Sequence, residues 1–142
     1  MSCVRMTVAP GMGELERCLG EVEAILLAAR VDDGATFRAQ LVFEEIVTNA
    51  FRHGFNGHAD AQVWVTICLS RDSVALEFED RAPAFDPLSH VAPVGDGSME
   101  GEPVGGRGLL LVRKACSTLR YEHRDGCNRL RAELARATGP GD

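Results

Sequence analysis

Two polar side chains interrupt an apolar helical pattern in the segment LVFEEIVTNAFRHG, residues 41–54. Glu45 and Asn49 are four residues apart, so at 100° per residue they differ by only about 40° around a helix. They therefore project from the same side, at the edge of the apolar face. A carboxylate in that position needs a partner and often has a shifted pKa, as at functional sites. The ordinary alternatives are that both side chains face solvent, or that Asn49 only satisfies Glu45.

A second carboxylate, Asp80, ends a predicted strand and begins the proline-rich segment EDRAPAFDP, residues 79–87. A carboxylate at a strand end can accept hydrogen bonds from an exocyclic amine or a ring N–H. An aspartate that only stabilises a turn is the commoner explanation of such a residue. Taken alone, this segment therefore favours a structural aspartate in a turn over a ligand-binding one.

Three closely spaced glycines in GGRGLLLV, residues 105–112, precede a helical pattern. Glycine permits positive φ and a close approach of the backbone to a ligand. A helix that begins there directs free N–H groups and its positive dipole end at an anion. The segment lacks the GK[ST] ending of a Walker P-loop, and it lacks the third glycine and leading strand of a Rossmann fingerprint. A flexible hinge before a helix is the alternative.

The elements that position these residues follow from apolar periodicity. Helices are predicted at residues 13–30, 36–53 and 105–116, and strands at 3–9, 61–70 and 73–80, with a second hairpin over 118–134 around RDGCN. Asp33 or Thr36 is expected to cap the second helix. Glycine, asparagine and proline predict loops at 54–60 and 81–104.

This order of elements is not the strand–helix alternation of a doubly wound sheet. It predicts an α+β fold, a two-layer sandwich in which helices cover one face of a mixed, mostly antiparallel sheet. A length of 142 residues fits a single domain over residues 1–136, followed by a disordered tail at 137–142.

Composition excludes several classes of protein. The 45% of hydrophobic residues support an ordinary core, and the net charge of −6 argues against a general nucleic-acid binder. Basic residues nevertheless gather between positions 107 and 131. This cluster could be a solvated face or a surface for an anion or a partner.

Five cysteines, at positions 3, 18, 68, 116 and 127, are scattered and form no CxxC pair. A zinc site and a disulfide framework are therefore not expected, and Cys68 is expected to be a small core residue in a reducing compartment. The N-terminal residues have no signal-peptide run, and the apolar run AILLAA is too short to span a bilayer. A cytoplasmic protein without membrane contact is expected.

Together, the three segments resemble in order and spacing the nucleotide-binding boxes of the GHKL superfamily of ATPases and kinases, which has the Bergerat ATP-binding fold. The segments EEIVTNAFRHG, EDRAPAFDP, GGRGLLLVRK and GCNRLRAEL are similar to the anti-sigma-factor serine kinase branch of these histidine-kinase-like ATPase domains. The resemblance extends over roughly residues 5–134.

The resemblance implies a role for each polar residue of the first two segments. Asn49 matches the asparagine whose side-chain oxygen holds Mg²⁺, a hard cation that prefers oxygen ligands. Glu45 matches the general base for the attacking hydroxyl, and Asp80 matches the acceptor of the adenine amino group. One helical turn would thus place a metal ligand and a base beside the same γ-phosphoryl group.

The resemblance also assigns the glycine segment and the loop before it. Gly106 and Gly108 match lid glycines whose amides approach the phosphates, and Arg107 between them could add positive charge. Residues 88–104 match the ATP lid. Further residues of the two boxes are expected beside the nucleotide: Ala82, Ala84, Phe85, Gly105 and Leu109. His53 and Gly54 match the end of the family's helix and are expected to pack.

The chain departs from the family pattern at two positions of the first glycine box, where Ala82 and Ala84 stand in place of glycine. Alanine keeps the backbone N–H but disfavours positive φ. The fold is expected to be unaffected, while ATP affinity and turnover are expected to be lower.

The reaction that the resemblance implies is transfer of the ATP γ-phosphoryl group, with Mg²⁺, to a serine of a small partner. In this branch the partner is a STAS-type anti-anti-sigma protein, the kinase also sequesters a sigma factor, and members commonly form homodimers. The alternative is an ATP-binding partner-switching module without kinase turnover. A detached ATPase domain of the chaperone or topoisomerase type ranks lower because the chain lacks their partner domains. The histidines at 53, 58, 90 and 123 offer no clear phospho-acceptor for a histidine kinase.

Overall fold

One sheet and a layer of helices account for the parts of the chain that the computed structural model describes, residues 1–54, 61–90 and 106–137. The strands are β1 (Ser2–Val8), β2 (Val63–Leu69), β3 (Ser73–Asp80), β4 (Thr118–Arg124) and β5 (Cys127–Ala135). The α-helices are α1 (Met12–Ala28), α2 (Asp33–Asn49) and α3 (Gly106–Ala115). The predicted α+β sandwich is confirmed.

The sheet has the strand order β1-β2-β3-β5-β4, and every pairing between its described strands is antiparallel. In the β3–β5 register, Asp80 lies directly opposite Asn128. The predicted strand-end carboxylate therefore lies beside a polar residue from a distant part of the chain.

The core lies between one face of the sheet and the helices. Val63, Val65 and Ile67 of β2 are fully buried because successive side chains of a strand point to opposite faces. Val22 and Leu26 of α1 are fully buried against this face, as their helical spacing predicts. Burying each such side chain contributes about 1.5–3 kcal/mol, so this face fixes the position of α1 above the sheet.

Two tight turns connect the hairpins, as their sequences predict. In the β4–β5 turn, Asp125 and Gly126 have φ values of 54° and 76°. A type I′ turn needs positive φ at both central residues, which explains the Asp-Gly pair. In the β2–β3 turn, Ser70 N donates to Ser73 O over 3.1 Å.

The second helix differs from its predicted form at both ends. It begins at Asp33, and its cap is Asp32, whose side chain accepts a hydrogen bond from Ala35 N. The predicted caps, Asp33 and Thr36, were wrong because Asp32 is the residue with extended backbone, φ −63° and ψ 155°. The helix ends at Asn49, after which residues Ala50–Gly54 form a π-helical turn.

The expectations for the cysteines were wrong in part. Cys3 and Cys68 form a disulfide, because the β1–β2 register places them directly opposite each other. Cys68 is half-buried and alternates with the buried Ile67, so it lies on the opposite face of the sheet from the core. Their sequence separation of 65 residues hides the pair from any argument based on spacing.

Several predicted segments lie outside the described residues, namely 55–60, 91–105 and 138–142. The start of the predicted lid, Pro87–His90, is a 3-10 turn. None of the described helices is long and apolar enough to cross a membrane.

Asp32 supplies the first test, since its carboxylate holds two backbone amides, Ala35 N at 3.1 Å and Ala137 N at 2.8 Å. Replacing Asp32 with Ala is expected to lower the free energy of unfolding by about 1–2 kcal/mol, measured by urea denaturation at neutral pH. The bond from Ala137 is the main cause of a lowered Asp32 pKa. The stabilisation is therefore complete above the ordinary Asp pKa and is lost as pH falls through the lowered value.

The matched control is Asp33→Ala, which removes the neighbouring, exposed carboxylate. It is expected to change the free energy of unfolding by less than about 0.5 kcal/mol. Equal losses in the two variants would show that Asp32 does not act as the cap.

Candidate functional site

A small, mostly apolar cavity of about 30 Å³ lies between α2 and the sheet, beside the end of β3. Its walls include Ile46 and Ala50 of the α2 side, Phe78 and Leu130 of the sheet, and the carboxylate residue Asp80. An apolar wall with one convergent polar group is the usual form of a small-molecule subsite. The volume is far below the roughly 300–1,000 Å³ of ordinary ligand pockets, so a purine ring would enter only as the surrounding side chains move outward.

Hydrogen bonds hold Asp80 in one orientation at this cavity. Its Oδ1 accepts from Asn128 Nδ2 at 2.8 Å and from Ala82 N at 3.0 Å. Burial is the largest influence on the Asp80 pKa and raises it, while these two bonds act in the opposite direction. Asp80 is thus a fixed acceptor at the edge of an apolar space, as its predicted role requires.

The alanines of the first glycine box fit their positions. Among the described residues other than glycine, only Arg30 and Asp125 have positive φ. Ala82 and Ala84 therefore do not need the conformational freedom of glycine. The Ala82 methyl group is buried and its N–H binds Asp80, whereas Ala84 is exposed.

Phe85 connects the turn after β3 to the end of α2. Its N–H donates to both Tyr121 Oη and Asn128 Oδ1, at 3.1 Å and 3.2 Å. Its ring stacks on His53, with 5.8 Å between the ring centroids. His53 therefore has the packing role expected for it, and Phe85 lines the cavity with Asp80.

Two residues of this site, Tyr121 and Asn128, were missed in the sequence. Both come from the β4–β5 hairpin and both line the cavity. A signal for Asn128 exists, because it alternates with the buried Leu130, Ala132 and Leu134 on the face of β5 that points to the core. A carboxamide on such a face requires polar partners.

The glycine segment and the α2 helix meet at Gly108. A Cβ placed on Gly108 would lie 1.9 Å from Oε2 of Glu45, which is far closer than any real contact. A side chain at position 108 would push the Glu45 carboxylate, the end of a flexible side chain, out of its present place, so glycine allows this carboxylate to lie against the first turn of α3. The contact places Glu45 at the positive end of the α3 dipole, where anions are stabilised.

The Glu45 carboxylate is half-buried, and its surroundings shift its pKa. Burial has the largest effect and raises the pKa, and the neighbouring Glu44 raises it further, whereas Arg52 lowers it. A raised pKa brings a carboxylate toward the range in which it can accept a proton near neutral pH.

The Asn49 side chain is buried and fixed by its own helix. Its Nδ2 donates to Glu45 O over 2.7 Å. This bond uses one of the two N–H groups of the amide and leaves the carboxamide oxygen able to coordinate a ligand. An oxygen donor fits Mg²⁺, and Glu45, one turn earlier, lies on the same wall.

The same helix thus serves two adjoining regions. Ile46 and Ala50 line the cavity at Asp80. Glu45 comes directly before Ile46 in the sequence, and Asn49 comes directly before Ala50. The arrangement fits a nucleotide whose base lies at Asp80 and whose phosphates lie beside Asn49 and the N-terminus of α3.

The remaining predicted site residues fall in different places. Gly106 begins α3, while Gly105 and the side chain of Arg107 lie outside the described residues. Leu109 is buried in the core. Its side chain therefore packs in the hydrophobic core, and only its backbone could contact a nucleotide.

Comparison with known families identifies this arrangement. Residues 11–134 match the histidine kinase-like ATPase domain. The chain belongs to this family. Over 109 residues it is 31% identical to the serine/threonine-protein kinase BtrW of Bordetella bronchiseptica, and the match covers 77% of each chain.

Solved structures support the same fold. The structure of the RsbU and RsbW domains of Rv1364c from Mycobacterium tuberculosis superposes with a TM-score of 0.66 and 15% identity. That match covers 97% of this chain but 34% of the other, so this chain spans about a third of that protein. The catalytic domain of the histidine kinase ThkA superposes with a TM-score of 0.52 and 13% identity over 96% of this chain and 97% of that one. The chain therefore has the GHKL ATP-binding fold.

Gly108→Ala tests the contact between α3 and Glu45. The added methyl group has to displace the Glu45 carboxylate, so we expect ATP turnover to fall by about 10²-fold, measured with radiolabelled ATP. The free energy of unfolding should change by no more than about 1 kcal/mol, since alanine is the better helix former.

Gly20→Ala is the matched control, because Gly20 also lies within a helix and a Cβ there would meet no atom within 4 Å. Its turnover is expected to equal that of the wild type. Unchanged turnover in Gly108→Ala would show that the contact with Glu45 has no role in the reaction.

Proposed function

We propose that this protein is an ATP-dependent serine/threonine protein kinase of the anti-sigma type. It would phosphorylate a serine of a small STAS-type anti-anti-sigma protein and, in its other state, sequester a sigma factor. The observation that carries the proposal is the contact of the Glu45 carboxylate with Gly108, one helical turn from Asn49. The proposed proton acceptor thus lies at the N-terminus of α3, and the proposed metal ligand lies one turn further along α2.

Each side chain of this site has a distinct task in phosphoryl transfer. Glu45 would accept the proton of the attacking serine hydroxyl, and its burial keeps it from being fully solvated. The carboxamide oxygen of Asn49 would hold Mg²⁺, which neutralises charge on the phosphates when it is bound. The amides at the start of α3 would receive phosphate oxygens. Positioning and electrostatics provide most of the catalysis in such reactions.

The adenine ring of ATP would be held at the other end of the site. Asp80 accepts hydrogen bonds at the apolar cavity, which suits the amino group of adenine. The similarity to BtrW, a serine/threonine-protein kinase, supports protein phosphorylation over other uses of ATP. We place the protein in the cytoplasm because sigma factors act there.

The second candidate is a partner-switching module in which ATP only shapes the partner surface. The small volume of the cavity favours it, since ATP binding would have to move residues that line the cavity, and Phe85 is one of them. Such coupling could change the partner surface without any phosphoryl transfer.

Glu45→Gln separates the two candidates. The amide cannot accept a proton, so phosphorylation of a purified STAS-type partner should fall by at least about 10²-fold. Calorimetric affinity for Mg-ATP should stay close to that of the wild type, because Asp80 and Asn49 remain. The matched control is Glu44→Gln, since Glu44 is exposed and adjacent. A wild-type protein that binds ATP and its partner without phosphorylating it would favour the switching module.

The pH dependence of the rate gives an independent test of Glu45 as the base. Only its ionised form accepts a proton, so the rate should rise as pH increases through the raised Glu45 pKa. Glu44→Gln removes a like charge and should move this limb to lower pH. Arg52→Gln removes an opposite charge and should move the limb to higher pH. Shifts in the same direction, or no shift, would rule out Glu45 as the titrating base.

A further inference from the structure

Asn128 is a buried polar residue beside Asp80 in the proposed adenine site, with 6% of its surface exposed. Its Nδ2 lies within hydrogen-bond distance of three oxygens, Asp80 Oδ1 at 2.8 Å, Ala82 O at 3.0 Å and Pro83 O at 3.1 Å. Its Oδ1 accepts from Phe85 N and from the hydroxyl of Tyr121. Asn128 thus joins β3, the turn after it, and the β4–β5 hairpin.

Only one orientation of this carboxamide satisfies its neighbours. If the amide were reversed, its oxygen would face three acceptor oxygens and its NH₂ group would face the N–H of Phe85. The buried position makes such unsatisfied contacts costly. The donor end of Asn128 is therefore always directed at Asp80.

This polarity decides what Asp80 can bind. With Oδ1 occupied by two donors, Asn128 Nδ2 and Ala82 N, the second carboxylate oxygen is the one that remains for a ligand. An ionised carboxylate accepts and does not donate. A 6-amino group on a purine can donate to it, whereas a 6-oxo group would be repelled.

We propose that Asn128 is a positioning residue for base selection, which acts through Asp80 to make the site specific for 6-aminopurine nucleotides. The inference rests on the proposed function in one respect, the binding of ATP at Asp80. Tyr121 fixes the acceptor end of Asn128 and the turn at Phe85, but it does not touch Asp80 in the described contacts.

The test compares two ligands by calorimetry, ATP and purine riboside 5′-triphosphate, which is ATP without the 6-amino group. The wild type is expected to bind ATP at least about tenfold more tightly. Asn128→Ala should weaken ATP binding and leave the analogue nearly unchanged, so that the preference falls to about twofold or less. Tyr121→Phe, the matched control, should alter both affinities by the same factor and keep the preference.

The outcomes separate this inference from the function on which it rests. If the wild type binds neither nucleotide, or if Asp80→Asn keeps the full preference for ATP, the base site assigned to Asp80 is wrong. If the wild type prefers ATP and Asn128→Ala keeps that preference, Asn128 has only a structural role and this inference is overturned.

Asn128→Asp serves if the alanine variant does not fold, because it keeps the shape and the acceptor for Tyr121 and Phe85. Where the pH is high enough for both carboxylates to be ionised, the new carboxylate repels that of Asp80, and the preference for ATP should be lost. As pH falls, the pair takes up one proton and a donor to Asp80 is restored. Glu79 favours and His123 opposes this protonation, as they do for the Asp80 pKa.

The preference of this variant should therefore recover at lower pH, while that of the wild type should not increase. A preference for ATP that does not change with pH in Asn128→Asp would contradict the proposal.

Discussion

The Glu45 carboxylate of α2 lies against the first turn of α3 because Gly108 has no side chain. A residue with a Cβ at this position would displace that carboxylate. The contact joins the N-terminus of α3 to a carboxylate that lies one helical turn before the carboxamide of Asn49. Residues from α2 then extend from this contact to the cavity at Asp80. The contact at Gly108 and the cavity at Asp80 are thus joined through one helix, α2.

Most of the strands, helices and tight turns could be predicted from the sequence, because each is indicated by residues within one short segment. The alternation of Val63, Val65 and Ile67 and the helical spacing of Val22 and Leu26 are set by which face each element buries. The Asp-Gly pair at 125–126 required a tight hairpin. The order of the three motifs indicated the GHKL fold, and the family match over residues 11–134 confirmed it.

The features that escaped prediction depend on contacts between distant segments. Asn128 is 48 residues from Asp80, and only the β3–β5 register brings them together. The Cys3–Cys68 bond depends in the same way on the β1–β2 register. The choice of Asp32 over Asp33 as the cap was a local matter, but it turned on a one-residue difference in backbone conformation that the two adjacent aspartates did not reveal.

The π-helical turn at Ala50–Gly54 directly follows the regular α-helix that ends at Asn49. Asn49 is held within the regular α-helix, whereas His53 stacks on Phe85 from within the π-helical turn. A π turn holds one more residue than an α turn. Deleting a residue there is expected to move the imidazole ring away from the turn after β3 and to leave Asn49 in place. Such a deletion would change the packing on Phe85, in the wall of the cavity at Asp80, while Asn49 keeps its hydrogen bond to Glu45 O.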